Sequence, residues 1–456
     1  SLHVGRNASL TLREDSLMVI AAKVARSIPF FNVLWAELSG LDVTIHHALP
    51  NKSKKSVRVA YINYTLEERH RPHADIWVDN LLSMAYGKSQ RKKRIKVLVN
   101  PFGGQGKAQT LYTRDIEPIF AAARCVLDVE STKYSGHAVE IARNLDTQAW
   151  DVIACCSGDG VPHEVFNGLG KKEEGARALS QVAVVQLPCG SGNALSLNLN
   201  GTNSPSLAAL AVIKGIKTPM DLVSVTQGDR RILSFLSQAV GIVAETDLAT
   251  EHLRWMGDTR FTWGFLSRLL TKTIYPADIA IEVEIPDKAS IKQAYDRELS
   301  NNFPPESRRG NHEGPGLPHL RFGTVQDPLP PSWALLPYDN LGSFYAGNMS
   351  YMTADANFFP AALPSDGCLD LVTIAGDISR IAAVQSLLAV EKNTFFGMPH
   401  VNYRKIRAYR IIPKHQKDGY VSIDGERVAF EPFQAECHRG LGTVLSKSGH
   451  VYEAQG

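Results

Sequence analysis

The sequence predicts an α/β domain in the middle of the chain, a small β-rich module before it and a mostly β portion after it. Three observations carry this. The apolar runs Ile95–Val99, Trp150–Cys156 and Val182–Gln186 each end near glycines and lead into helical patterns, as buried parallel strands of an α/β layer do. Residues 1 to about 90 hold short runs of β-branched and aromatic residues with polar breaks between them. From about Met220 strand-like runs dominate again. At 456 residues the chain is long for one domain and comfortable for two or three. The boundaries expected are 1–90, 91–220 and 221–456.

In the first module Leu10 to Ala22, Phe30 to Leu38, Val43 to His47 and Val57 to Tyr64 read as strands, and Trp77 to Tyr86 as a short helix. The α/β part adds a helix at His137 to Leu145. A second helix starts at Ser204, whose side chain suits an N-cap, with Pro205 at the first helical position and Gly215 as its stop. In the last part Ile279 to Glu284, Leu341 to Asn348, Leu369 to Ile374, Tyr409 to Ile412 and Val421 to Ile423 read as strands, and Ile378 to Ala389 as a helix. Residues of about 286–337 carry Pro304, Pro305, Pro315, Pro318, Pro328, Pro330 and Pro331 with few aliphatic side chains. They read as a disordered insertion.

Composition narrows the function. The chain is 44% hydrophobic and 21% charged, and its 49 Lys and Arg against 46 Asp and Glu give a formal charge of +3. That balance lacks the basic bias of a nucleic-acid binder. Arg91, Lys92, Lys93 and Arg94 form one local basic cluster, read as a solvated lead-in to a strand or as a contact for anionic lipid headgroups. Six cysteines without CxxC spacing give no zinc or redox signature and read as reduced thiols, with Cys155 and Cys156 on opposite faces of one strand. No apolar stretch approaches the roughly 18 residues of a membrane span, and no signal-peptide pattern is present.

The chemistry concentrates in three glycine loops, Asn100-Pro101-Phe102-Gly103-Gly104-Gln105-Gly106-Lys107, Ser157-Gly158-Asp159-Gly160 and Leu187-Pro188-Cys189-Gly190-Ser191-Gly192-Asn193-Ala194. Glycine lets a backbone approach an anion, and a following helix offers unpaired N–H groups. In an open α/β sheet such loops share the carboxyl edge of the strands, where ligands bind. One such loop is also an ordinary tight turn; three within 100 residues predict one phosphate-rich site. The standard phosphate motifs do not fit. The stretch from Gly104 to Gln109 lacks the last glycine of GxGxxG, and Lys107 is followed by Ala108 rather than Ser or Thr.

These three segments together resemble the diacylglycerol-kinase catalytic fold, and within it the sphingosine (long-chain-base) kinases. The run His163-Glu164-Val165-Phe166-Asn167-Gly168-Leu169, the run Gly241 to Asp247 continuing through Arg254-Trp255-Met256-Gly257 to Arg260-Phe261, and Ser422-Ile423-Asp424-Gly425-Glu426 are similar to elements of that subgroup. The resemblance covers about residues 92–450 apart from the insertion. It implies an α/β nucleotide-binding domain followed by a β-sandwich lipid-binding domain with the active site in the cleft between them, and ATP with Mg²⁺ as the phosphoryl source. It places Gly103, Gly104, Gly106 and Lys107 on the ATP phosphates, with Asn100 and Thr132 lining the nucleotide site. Ser157, Gly158 and Gly160 close over the phosphates, and Asp159 is the catalytic base. Gly190, Ser191, Gly192 and Asn193 complete the nucleotide pocket. Arg254 and Arg260 lie near the phosphates, Asp424, Gly425 and Glu426 near nucleotide and metal, and Asp247 and Phe261 in the substrate site. Several relatives carry a basic residue where this chain has Phe102.

The implied activity is ATP-dependent phosphorylation of the primary hydroxyl of sphingoid bases. Phosphoryl transfer needs positioning and charge neutralisation more than covalent chemistry, and an aspartate can accept the alcohol proton. A sphingoid base carries an ammonium that diacylglycerol and ceramide lack, so an acid such as Asp247 suits its site. Asp247 also suits the cap of a helix at Leu248 to Trp255, and the two uses are compatible. His163 reads as a packing histidine, and Glu164 either as an aid to a metal or as a partner of a helix N-terminus. Rival readings are a diacylglycerol or ceramide kinase and a catalytically silent lipid-binding scaffold. The expected setting is cytoplasmic, docked peripherally on membranes through Arg91 to Arg94 or an apolar patch.

Overall fold

The computed structural model describes residues 1–4, 8–21, 24–103, 106–249, 274–300, 305–312, 314–414 and 419–454, with only the backbone for residues such as 246–249. Strands Leu2–Val4, Ala8–Leu12, Ser16–Ala21 and Val24–Pro29 (β1–β4) form one antiparallel sheet, and Val33–Ser39, Asp42–Pro50 and Val57–Thr65 (β5–β7) a second. The expected strand Leu10 to Ala22 is a hairpin, turned where Arg13 N–H donates to Ser16 O (2.9 Å). Helix α1 (Arg71–Tyr86) starts earlier than its apolar half suggested, with Pro72 in its first turn, a place that needs no N–H donor.

The α/β part holds four parallel strands, Arg94–Val99 (β8), Val126–Ser131 (β9), Val152–Ser157 (β10) and Ala183–Pro188 (β11), in the order β11-β10-β8-β9. β10 and β11 are buried at every position. After β8 the chain is helical over Ala108–Leu111 (α2), widens to a π turn over Tyr112–Ile116 and resumes as Glu117–Ala122 (α3). Helices His137–Asn144 (α4), Gly160–Gly170 (α5), Gly175–Gln181 (α6), Ala194–Asn200 (α7) and Pro205–Lys214 (α8) follow. Strand alternation divides the core. Ile95, Val97, Val99 and Cys156 face α1, α3, α8 and the N-terminal sheets. Leu98, Ile153 and Cys155 face α4, α5 and the C-terminal part. The N-terminal module is therefore a layer of the central core. All six cysteines are free.

The third part is one antiparallel sheet of eleven strands. In chain order these are Ile216–Gln227 (β12), Arg230–Ser234 (β13), Ser237–Gly241 (β14), Ala277–Ile285 (β15), Leu336–Tyr338 (β16), Leu341–Gly347 (β17), Leu369–Ala375 (β18), Asn402–Pro413 (β19), Val421–Ile423 (β20), Glu426–Val428 (β21) and Phe433–Ser446 (β22). The path runs β13-β12-β22-β19-β18-β17-β14-β20-β21, with β15 and β16 added at β19. Val223 of β12 and Val240 of β14, far apart along that path, share one apolar cluster with Phe344, Tyr409 and Phe433, so the sheet curls around its own interior.

The 286–337 stretch is not a disordered insertion. It opens with helix Lys288–Leu299 (α10), capped where Asp287 accepts from Ser290 N–H. The remainder lies as a strap on the sheet: Arg309 donates to Gly440 O (2.9 Å), Arg321 N–H to Glu436 (3.0 Å) and Gln434 to Phe322 O (2.9 Å). Trp333 packs on Phe322. The hydrogen-bond partners on β22 lie more than 100 residues away, beyond the reach of a local compositional reading.

The residues of the basic cluster also have partners within the chain. Arg91 pairs with Asp79 (2.8 Å) and Lys92 sits over the Trp35 ring. Buried Lys93 donates to Ser89 and to Ile213 O, and Arg94 pairs with Asp151 (2.7 Å).

Candidate active site

The loops after β8, β10 and β11 meet at the carboxyl edge of the parallel sheet, and backbone contact between them explains their glycines. A Cβ on Gly190 would lie 2.2 Å from Gly158 Cα and N, and one on Gly158 would lie 2.9 Å from Gly192 O. Neither is tolerable, so these positions exclude any side chain. In the first loop Asn100 Oδ1 accepts from Phe102 N–H (3.0 Å), and Gly106 turns at φ +74°. Lys107 is exposed just before α2 and has no partner among the described residues. Thr132, buried at the end of β9, donates its N–H to Val99 O (2.9 Å) beside Asn100. In the third loop Asn193 closes a ring with Gly190, accepting its N–H (3.2 Å) and donating to its O (2.9 Å). Ser157 is fully buried, whereas Ser191 keeps part of its surface exposed.

Asp159 stands at the junction. Its Oδ2 accepts from Ala194 N–H (2.9 Å), and its Oδ1 from Leu195 N–H (3.1 Å) and Gln186 Nε2 (3.1 Å). Its carboxylate therefore satisfies the first N–H groups of α7, which ties the second loop to the third. Burial pushes its pKa up to about 6, against the pull of these three donors. It remains largely ionised at pH 7 and is a better base than an exposed aspartate. Gln186 was not singled out in the sequence. Its signal is a lone amide in an otherwise apolar buried strand, and its Oε1 is fixed by Ser196 N–H (2.8 Å).

Helix α5 joins the two large parts through the His163–Leu169 run. His163 Nδ1 meets Asp424 Oδ2 at 2.8 Å. Asn167 pairs with the Leu233 backbone in both directions, accepting from N–H (2.8 Å) and donating to O (2.9 Å). Glu164 accepts from Gly136 and Ala138 N–H (2.9 and 3.0 Å) at the start of α4, which settles its role on the helix-terminus side. A Cβ on Gly168 would lie 2.4 Å from Val139 O, so glycine lets α4 and α5 touch. His163 is thus more than packing. Burial disfavours its charge, but the bond to Asp424, with Glu426 and Glu164 nearby, overrides this and holds its pKa above the ordinary value.

The DGE element divides its labour. Asp424 and Gly425 have φ of +52° and +85°, the Asp-Gly turn that joins β20 to β21. The Asp424 carboxylate is buried. Oδ1 accepts from Ser234 Oγ (2.5 Å), Leu236 N–H (3.0 Å) and Ser237 N–H (3.0 Å), and Oδ2 from Phe235 N–H (3.0 Å) and His163. With five donors it has no lone pair left for a metal or nucleotide, and the expectation for Asp424 is corrected to positioning. Glu426 is exposed, and its Oε1 is 3.5 Å from where a Cβ on Gly160 would be. It faces the second loop and has no hydrogen-bond partner among the described residues.

Asp247 falls in the sixth position of helix Ile242–Ala249 (α9). It is therefore not the cap of a later helix. Glu245, near it, is buried and accepts from Tyr275 Oη. Gly104, Arg254, Arg260 and Phe261 lie outside the described residues.

A parallel-sheet edge built of glycine loops, a half-buried aspartate at their junction and a second domain reaching over it fit a phosphotransferase of the diacylglycerol-kinase type. Residues 94–225 match the Diacylglycerol kinase catalytic domain family, and residues 1–87 a domain of unknown function, DUF7493. Sphingoid long chain base kinase 4 of Schizosaccharomyces pombe is 34% identical over 435 residues, which cover 94% of this chain and 90% of that protein. Sphingoid long chain base kinase 5 of Saccharomyces cerevisiae is 35% identical, covering 86% of this chain and 65% of the yeast protein. Human sphingosine kinase 1 is 31% identical over 79% of this chain and 92% of its own length. A diacylglycerol kinase from Bacillus anthracis shares the fold, with a TM-score of 0.51 and 19% identity over 78% of this chain and 98% of that structure. The chain belongs to the sphingoid long-chain-base kinase family and is a lipid kinase.

Proposed function

We propose that this chain transfers the γ-phosphoryl group of ATP to the primary hydroxyl of a sphingoid base, with Asp159 as the base. The observation that carries this is Asp159 itself, held by three donors at the meeting point of three glycine loops with its pKa raised to about 6. The hydroxyl oxygen bonds to the γ-phosphorus, the bridge to the β-phosphate breaks, ADP leaves and the hydroxyl proton passes to Asp159. Exposed Lys107 and the loop N–H groups neutralise the phosphates. Asp247 on α9 pairs with the substrate ammonium, a charge that diacylglycerol and ceramide do not offer.

Among the described residues no group of three or more His, Cys, Asp or Glu is disposed to cage a metal. This suits Mg²⁺, which is commonly held by one or two carboxylates, waters and substrate phosphates. Glu426 is the carboxylate placed to help hold it, and the ion supplies charge neutralisation on the phosphates. The curled sheet serves as the lipid-binding domain. No helix among the described residues is long and apolar enough to cross a membrane. Peripheral docking is assigned to helix Arg380–Glu391 (α11), which exposes Ile381, Val384 and Leu388 on one stripe.

The test is phosphate transfer from labelled ATP with Mg²⁺ to sphinganine, diacylglycerol or ceramide in separate mixed micelles, with an Asp159→Asn control. Transfer to sphinganine alone, abolished in the control, is expected. Transfer to diacylglycerol or ceramide instead overturns the ammonium pairing, and transfer retained by the control overturns the role of Asp159.

A further inference from the structure

A polar cavity lies away from the glycine loops. It measures about 400 Å³, is floored by β22 and roofed by the strap, and none of its lining residues belongs to the site described above. Three guanidinium groups line it: Arg321 from the strap, Arg407 from β19 and Arg439 from β22. Arg321 has no side-chain partner among the described residues. Arg439 commits one nitrogen, its Nε, to Ser365 O (3.1 Å), and Arg407 one nitrogen to Glu284 (2.7 Å). Each keeps donors to spare. His312, whose Nε2 is bonded to Arg439 O (2.9 Å), and His319 also line it.

The lining also holds two carboxylates, Asp366 and Glu436, against its three arginines. Asp366 is paired with Lys405 (2.6 Å), and Glu436 is occupied by the N–H groups of Arg321 and Phe322. Beside the cavity Arg308 is buried and pairs with Glu298 through Nη1, and its Nε and Nη2 have no partner among the described residues. The cavity thus has an excess of arginine with free forks, and nearby His438 is driven down to about 3 by burial and by Arg231, His312 and Arg321. A planar fork of N–H donors matches the oxygens of a phosphate, and several around one space match a dianion better than any neutral ligand.

We propose that this cavity binds a phosphate monoester group, and that the bound anion fixes the strap to the sheet. The shared chemistry is the phosphate dianion, whether free or on a lipid headgroup such as phosphatidic acid. The site is separate from the catalytic one, so its test stands apart from that of the kinase reading. The full chain, with its nucleotide site saturated by a non-hydrolysable ATP analogue and Mg²⁺, is titrated with inorganic phosphate. In parallel it is sedimented with phosphatidylcholine vesicles with and without phosphatidic acid. An Arg321→Gln/Arg439→Gln double variant, altered at two exposed side chains, is compared throughout.

Saturable binding in either arm, with a rise in Tm, is expected, and the double variant should weaken it by about tenfold or more. Binding of phosphate in solution assigns the site to the free anion, and binding only to the acidic vesicles assigns it to a headgroup. Either supports the proposal. No saturable binding in both arms, or binding equal in the double variant, overturns it.

Discussion

Replacing Asp424 by asparagine separates a positioning role from a metal-binding one. The carboxylate takes three donors on Oδ1 and two on Oδ2. Asparagine keeps one oxygen and turns the other acceptor into a donor. With the three-donor side retained, its amide nitrogen faces Phe235 N–H, leaving a buried donor unpaired at about 1–3 kcal/mol. The charge-assisted bond to His163 is lost as well, at about 1.5–3 kcal/mol. The sum is roughly 3–5 kcal/mol, the usual cost of breaking a buried ion pair from one side. For a cooperative unit of about 200 residues this lowers Tm by about 6–20 °C. The assay is thermal unfolding with and without Mg²⁺–ATP, alongside kinetics over a Mg²⁺ series. The paired variant Glu426→Gln, at an exposed side chain, should leave Tm almost unchanged and raise the Mg²⁺ needed for half-maximal rate. A native Tm for Asp424→Asn together with a raised Mg²⁺ requirement would refute the reasoning and return Asp424 to the metal. The same bond has a pH signature. His163 has its folded pKa raised above 6.5, so its stabilisation is complete below pH 6.5 and is lost as pH rises through the folded value. His163→Gln should flatten that part of the Tm–pH curve.

Three further outcomes follow from the site. Asp159→Asn should cut kcat by about 10²–10⁴-fold with nucleotide binding retained, and wild-type kcat/KM should fall as pH drops below about 6, where the base becomes protonated. Gln186→Leu removes a donor to Asp159 Oδ1, so the acid limb of the same profile should move up by roughly one pH unit while the Km for lipid holds. An unmoved limb would show that Gln186 does not tune the base. Gly190→Ala puts a methyl 2.2 Å from Gly158 backbone atoms, so the loops must part and transfer should be lost even where circular dichroism shows the fold intact.

The α/β layer was legible because buried parallel strands are continuous apolar runs. Ile95–Val99 and Val182–Gln186 fall on β8 and β11 to within a residue or two. The three loops were legible because glycine is needed where backbones touch. What the sequence hid was tertiary. The polar, proline-rich strap has no local reason to be ordered, and its order comes from Glu436 and Gln434 far along the chain. The spacing of Asp424 and Glu426 places both near one turn, but only burial decides which is consumed by backbone donors and which faces the loop. Arg91 to Arg94 looked free because their partners Asp79, Ile213 and Asp151 lie in other elements.

The pairing of β12 with β22 has a consequence for synthesis. Ile216 pairs with Ser446, and Thr443 Oγ1 also bonds Leu179 O (2.8 Å) in the α/β part. On a ribosome adding about 5–20 residues per second, roughly 10–50 s separate the emergence of these two strands. During that interval β12 has a hairpin neighbour in β13 on one side and an open edge on the other. The chain therefore carries, while it is being made, an apolar edge that a fully folded molecule never shows. Such an edge is a template for pairing with other chains. The yield of native enzyme then depends on how fast the last strand arrives as much as on how stable the finished sheet is.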